Sequence, residues 1–180
     1  MSNEIFTHKF FGWLEAEARR HVNPDGSEGA IVAVTARIAK GLILSALIEI
    51  GPYAKIGSDA YIGPRAKIGS RAYIGPGANI GPRAYIGRDA NIGPGANIEK
   101  GDWFMSIGPI GPEGRHTTIV HKCGVGLRFW TGCFQAKTVA EFRAAIAETH
   151  GDNEHAAAYL WMLDAVERHP DVLAREAVNA

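Results

Sequence analysis

The sequence predicts a mainly β protein whose centre is a parallel β-helix of six-residue repeats, and three observations predict it. Isoleucine stands at positions 50, 56, 62, 68, 74, 80, 86, 92 and 98, an unbroken spacing of six. Glycine follows each of the first eight, from Gly51 to Gly93, and alanine fills the fourth place after each, from Ala54 to Ala96. A short fixed period of this kind marks a repeat architecture. An amphipathic helix is excluded, because six does not fit a period of about 3.6 residues. The Gly-Pro pairs at 51, 63, 75, 81 and 93 would also break a helix repeatedly.

Each unit reads as one side of a triangle. The isoleucine points inward from a flat wall, the alanine fits a crowded corner, and the glycine with the residue after it shapes the turn. Three units close a coil, so residues eighteen apart stack on successive coils. The register continues backwards through Val32, Ile38 and Leu44, with Ala36, Leu42 and Ile48 in the alanine place. The coils therefore start near residue 31. Forwards, Ile98, Phe104 and Ile110 keep the register while Asp102 replaces the small corner residue, which predicts a last, irregular coil running out near residue 115. The expected prism has about four and a half coils and, at roughly 4.8 Å per layer, stands about 20 Å tall.

The flanks differ in kind. Residues 1–30 are expected to cap the open end of the prism, since an exposed coil edge invites association. Phe6, Phe10, Trp13 and Leu14 lie at near-helical spacing, yet Gly12 and the aromatic crowding equally allow an extended segment. Asn23-Pro24-Asp25-Gly26 reads as a turn. Residues 31–111 are the β-helix, and residues 112–180 a small C-terminal α+β appendage. There, Thr117–His121 and Val125–Phe134 read as two strands joined at Lys122-Cys123-Gly124. Thr138 with Glu141 forms a capping box that opens a helix with Phe142 and Ile146 on its apolar face, and Gly151 stops it. Asp152 or Asn153 caps a second helix with Tyr159, Leu160, Leu163 and Val166 inward. The tail either frays or adds a short helix.

Composition narrows the function classes. Nineteen Lys and Arg balance nineteen Asp and Glu over 180 residues, so no overall field favours bulk nucleic acid or an anionic membrane. Any anion site must be local. The apolar N-terminal residues are interrupted by His8 and Lys9 and do not read as a secretory signal. The longest apolar run in the repeats, Leu42 to Ile48 with Ser45 inside it, falls short of the roughly 20 residues that span a bilayer. Cys123 and Cys133 cannot make a disulfide framework and are expected to be free thiols, so the chain reads as a cytoplasmic protein.

Residues 31–110 closely resemble the hexapeptide-repeat family best known from acyltransferases. That resemblance implies a left-handed coil and a homotrimer with prisms side by side. The turns Gly114-Arg115-His116-Thr117-Thr118, Thr131-Gly132-Cys133-Phe134 and Thr149-His150-Gly151-Asp152-Asn153 resemble a C-terminal module of uncharacterised bacterial and phage-borne repeat proteins. This second resemblance implies a setting and no activity.

The acyltransferase resemblance implies a histidine base near the coil walls, and residues 31–110 contain no histidine. The seven histidines stand at 8, 21, 116, 121, 150, 155 and 169, so a base would come from an end segment of the same or a neighbouring subunit. A zinc site of the γ-carbonic-anhydrase kind fails on the same absence of coil histidines. His116, His121, Cys123 and Cys133 match no close-paired zinc spacing, so neither a metal nor another cofactor is expected.

What remains is a wall decoration suited to anions. Arg65 stacks below Arg83 and Lys67 below Tyr85, a basic and aromatic stripe suited to phosphates or stacked bases, or else ordinary outward positions at a subunit interface. Lys55, Tyr73 and Asn91 form a second stack, and Tyr61, Asn79 and Asn97 a third. In the appendage, Arg115, His116, Thr117, Arg128, Trp130, His150 and Asn153 either line a ligand site or cap turns and pack the core. The sequence thus points to a non-catalytic homotrimer binding a small anionic, nucleotide-type ligand. A coenzyme A-dependent acyltransferase and a structural adaptor are the alternatives. In a phage-borne setting, sequestering a nucleotide signal used in bacterial defence would fit the first.

Overall fold

The computed structural model describes residues 4–99, 102–112, 115–122, 124–131 and 134–179. The chain is mainly β and divides into two compact units, Met1–Lys100 and Gly101–Ala180.

The first unit is the predicted parallel β-helix of hexapeptide repeats. It opens with β1 (Phe6–Phe10), β2 (Leu14–Val22) and β3 (Glu28–Ala33). Two-residue strands follow: β4 (Arg37–Ile38), β5 (Glu49–Ile50), β6 (Lys55–Ile56), β7 (Tyr61–Ile62), β8 (Lys67–Ile68), β9 (Tyr73–Ile74), β10 (Asn79–Ile80), β11 (Tyr85–Ile86), β12 (Asn91–Ile92) and β13 (Asn97–Ile98). They stack as three walls: β3-β5-β8-β11, β4-β6-β9-β12 and β7-β10-β13. Pairing is parallel and in the expected register, with Ile50 beside Ile68, Ile56 beside Ile74 and Ile62 beside Ile80. A two-residue strand has no stability alone, so each depends on the layers above and below it. The inward isoleucines supply that cohesion, and Ile50, Ile68, Ile74, Ile80, Ile86 and Ile92 are all fully buried.

The corners explain the rest of the repeat. The alanine N–H donates to the carbonyl of the glycine three residues back, as Ala66 does to Gly63 at 3.2 Å and Ala78 to Gly75 at 3.2 Å. Proline, serine or, before Asp89, arginine precedes a third turn residue with positive φ, the pattern of a type II turn. Gly77 and Gly95 take that position freely, at φ 65° and 67°. Tyr53, Asp59, Arg65, Arg71, Arg83 and Asp89 take it with a side chain, at φ between 56° and 64°. The glycine after each isoleucine meets a different demand, for space. A Cβ on Gly63 would lie 2.5 Å from the Pro82 nitrogen of the next coil, and one on Gly57 2.5 Å from the Pro76 nitrogen.

Of the two readings of the N-terminal segment, the structure takes the extended one. β1 and β2 form an antiparallel hairpin with Phe6 opposite Ala18 and Phe10 opposite Leu14, and β2 runs antiparallel to β3. Phe10, Ala18 and Ala33 are buried together, with Phe6, Phe11, Leu14 and Ile31 packed around them. Beyond the hairpin the cap closes the edge of the first coil with side chains. Asn23 Oδ1 accepts the Leu44 N–H at 2.9 Å while its Nδ2 donates to the Leu44 carbonyl at 3.3 Å. The Arg20 guanidinium donates to the Ala46 carbonyl at 3.0 Å, and His21 Nε2 lies 3.0 Å from the Leu42 carbonyl. Backbone groups that would otherwise face an open edge therefore have partners.

The second unit is a four-stranded antiparallel sheet, β14 (Trp103–Ile110), β15 (Arg115–Lys122), β16 (Gly126–Thr131) and β17 (Phe134–Lys137), with helices α1 (Val139–His150), α2 (Glu154–Glu167) and α3 (Pro170–Asn179). The last irregular coil predicted through Phe104 and Ile110 does not form. Trp103–Ile110 pairs antiparallel with β15, Phe104 opposite Val120, and so belongs to this sheet. The capping box is present, Thr138 and Glu141 serving each other's backbone N–H, and Gly151 ends α1 at φ 56°. Asn153 is the α2 cap, accepting from the His155 and Ala156 N–H groups. Leu160 is exposed and Met162 is buried in its stead, because the apolar stripe of α2 runs through Ala156, Tyr159, Leu163 and Val166. These residues pack on Ile119, Leu127 and Phe129 of the sheet with Phe142 and Ile146 of α1. Among the described residues no helix is long and apolar enough to cross a membrane.

Candidate functional site

The predicted stacks form, but their members meet different fates. Lys67 and Tyr85 pair in register on β8 and β11, on the wall that also carries Glu49. There the N-terminal hairpin reaches them. Lys67 Nζ lies 3.1 Å from Glu49 Oε1, while Glu49 Oε2 accepts the Phe11 N–H at 3.1 Å and lies 3.8 Å from His8 Nε2. Phe11 meets the Tyr85 ring edge-on at 5.9 Å. Half of the expected stripe therefore seats the hairpin.

Burial works to raise the Glu49 pKa, but the Phe11 N–H and the Lys67 ammonium outweigh it, so the carboxyl sits below its ordinary value. A depressed carboxyl contributes stability that is complete above its unfolded pKa, near 4.3 for glutamate, and is lost as pH falls through the lower folded value. Acid should accordingly release the hairpin before the coils. Hydrogen exchange at the Phe11 amide should accelerate below about pH 4 in the native protein, and Glu49→Gln should flatten that dependence. An amide whose exchange follows only the intrinsic pH trend in both proteins would refute the latch.

Arg65 and Arg83 are different. Both stand exposed at one corner, one coil apart, with the Arg83 N–H donating to the Pro64 carbonyl at 3.0 Å. Neither guanidinium has a hydrogen bond or ion pair among the described residues. Both occupy the positive-φ turn position, at 64° and 61°, where a β-carbon costs about 1 kcal/mol. A second stacked corner pair, Arg71 and Asp89, offsets that cost with a bidentate ion pair, Arg71 Nη2 to Asp89 Oδ2 at 2.9 Å. Among the described residues no hydrogen bond or ion pair does so for Arg65 and Arg83. Beside them on the first two coils, Ile43, Leu47 and Tyr61 are 73%, 59% and 55% exposed.

The described candidate side chains of the second unit are divided between the two faces of the sheet and the helices. Trp130 is buried opposite Thr118, and Arg128, on the same face of β16, donates to the Leu127 carbonyl at 2.8 Å. His116 shares that face by strand alternation, whereas Thr117 lies on the other, fully buried with its hydroxyl unpartnered. Arg115 opens β15. His150 stacks on Tyr159 at 5.5 Å, and Asn153 caps α2. Most of these groups have structural duties. No group of three His, Cys, Asp or Glu is placed to hold a metal ion among the described residues, and Cys123 and Cys133 lie outside them.

Sequence reasoning missed Glu49, because its role depends on where the hairpin lands. It also missed the Arg71–Asp89 pair, which the eighteen-residue spacing could have revealed.

With the geometry in view, the chain can be compared with known proteins. Residues 65–100 match the family model described as bacterial transferase hexapeptide (six repeats). The match lies wholly within the coils and covers none of the second unit. No curated protein and no solved structure matches the chain.

Proposed function

We propose that the chain is a non-catalytic homotrimer that sequesters a small anionic, nucleotide-type ligand in the grooves between prisms. The observation that supports this most is the Arg65–Arg83 corner, two arginines one coil apart whose guanidiniums have no hydrogen bond or ion pair among the described residues, each held in a backbone conformation that glycine would adopt more easily. Guanidiniums suit phosphate oxygens, which they can bind through two parallel N–H donors. The exposed Ile43, Leu47 and Tyr61 beside the corner suit burial against a second copy, which would turn the corner into a groove wall.

A transferase is the second reading, favoured by the family match and by His8, which the hairpin carries to the coil wall beside Glu49. A carboxylate beside an imidazole is the arrangement of an oriented general base.

Native mass spectrometry of the purified chain, alone and with acetyl-coenzyme A, linear nucleotides and cyclic nucleotides, separates these. The expected result is a trimer that retains an unmodified nucleotide, with retention weakened about tenfold or more in Arg65→Ala and Arg83→Ala. Selective retention of coenzyme A, with acetyl transfer lost in His8→Gln, would favour the transferase. A trimer that retains none of them would overturn both readings and leave an adaptor.

A further inference from the structure

The cap that closes the first coil leaves a recess whose polar side chains are all basic. Arg19 lies opposite Val32 in the β2–β3 pairing, and Val32 is an inward residue of the prism, so Arg19 and, two residues on, His21 face the open end and not the outer wall. There they meet the first corner beyond β4. Arg19, His21 and Lys40, with Val22, Ile38 and Leu42 among the apolar residues, line a recess of about 420 Å³. Among the described residues no carboxylate lines it. In a chain whose formal charges sum to zero, that is a local concentration of one sign.

The basic groups are not equivalent. His21 is held by the Leu42 carbonyl, 3.0 Å from Nε2, and closes the coil edge. Arg19 and Lys40 have no hydrogen bond or ion pair among the described residues. Among the described residues β4 is the last strand of its sheet and pairs only with β6, and Ile38 of β4 lines the recess. Two uncommitted cations across an apolar floor are complementary to a doubly charged oxyanion on a compact, partly apolar body. One cation gives a fork of donors and the other a point charge.

We infer that this recess is a second binding site, for a small phosphate monoester. It lies at a different corner from Arg65 and Arg83, and it stands whether or not a ligand occupies that corner.

Isothermal titration of the full chain with adenosine 5′-monophosphate, inorganic phosphate and adenosine tests it. Adenosine monophosphate should bind, adenosine should not, and affinity should fall with added salt. Inorganic phosphate should bind more weakly, since it lacks the body that covers the apolar floor. Arg19→Ala and Lys40→Ala should each weaken the monophosphate about tenfold while thermal melts stay unchanged, because neither side chain has a hydrogen bond or ion pair among the described residues. Arg19→Lys should recover part of the loss. Unaltered affinity in the Arg19→Ala, Lys40→Ala double variant, or equal binding of adenosine, would overturn the site. Binding lost in Arg65→Ala but not in the double variant would overturn it too, while leaving the corner reading intact.

Discussion

Gly63→Ala should destabilise the chain by about 3 kcal/mol or more, and Gly87→Ala, the same change at the same place in the repeat, should not destabilise it at all. The difference lies in what stands above each residue. A Cβ on Gly63 would meet the Pro82 nitrogen at 2.5 Å, the Gly81 carbonyl carbon at 2.6 Å and the Pro82 Cα at 2.8 Å, all of them backbone atoms of the next coil. A flexible side chain could swing away from such a contact. Backbone inside a hydrogen-bonded layer can yield only by lifting the layer, and here the Gly63 N–H donates to the Ile80 carbonyl at 2.7 Å, beside the contact itself. At Gly87 nothing among the described residues lies within 4 Å of the added atom, and the coil strands end at Asn97–Ile98, before the positions eighteen and nineteen residues on. Neither glycine has positive φ, so alanine adopts either backbone without strain. At Gly87 the loss of unfolded-state freedom should leave stability equal or higher by up to about 1 kcal/mol. Thermal melts followed by far-ultraviolet circular dichroism should show Gly63→Ala lower by roughly 6–12 °C and Gly87→Ala unchanged or higher. Equal melting temperatures would mean that the repeat glycines serve turn conformation and not clearance between coils.

The coils were legible because one chemical demand recurs every six residues. An inward isoleucine, a clearance glycine and a corner alanine have no other common explanation, and eighteen-residue stacking follows once three walls close a coil. That is why Lys67 beside Tyr85 and Asn79 beside Tyr61 follow from the sequence alone. Where two periods coincide, the reading fails or stays open. Phe6 and Phe10 are four apart, which places them on one face of a helix and equally on one face of a strand. Phe104 and Ile110 fit the six-residue register and also fit alternation within one antiparallel strand, and the pairing with β15 decides between them. The candidate site was legible only as far as its scaffold. The same arithmetic that stacked Arg65 on Arg83 stacked Lys67 on Tyr85, yet it could not show that a hairpin from far upstream would lay Phe11 against Tyr85 and His8 beside Glu49 and bring nothing described to Arg65 and Arg83. The basic recess at the open end was hidden for the same reason, since its walls come from β2 and the first coil.

Asn23→Ala should be among the most damaging single changes outside the isoleucine core, at about 2–5 kcal/mol. The first coil has no coil below it, so its lower edge must find hydrogen-bond partners or face solvent, and at Leu44 solvent is absent: the residue is fully buried. Asn23, itself 6% exposed, meets both backbone groups of Leu44 at once, accepting the N–H at 2.9 Å and donating to the carbonyl at 3.3 Å, with a further donation to Ser27 Oγ at 3.0 Å. An amide offers a donor and an acceptor on one planar group, which is what a strand partner would offer. Alanine leaves a buried donor and a buried acceptor unpaired, at roughly 1–3 kcal/mol each. Aspartate retains the acceptor but turns a second oxygen toward the Leu44 carbonyl, so Asn23→Asp should be nearly as costly at neutral pH. Urea denaturation should show both variants with lower midpoints and an unchanged slope, and exchange of the Leu44 amide should quicken in Asn23→Ala more than at the Ile68 amide in mid-stack. A midpoint within error of the parent would show that water or a shifted backbone closes the coil end as well as the amide does.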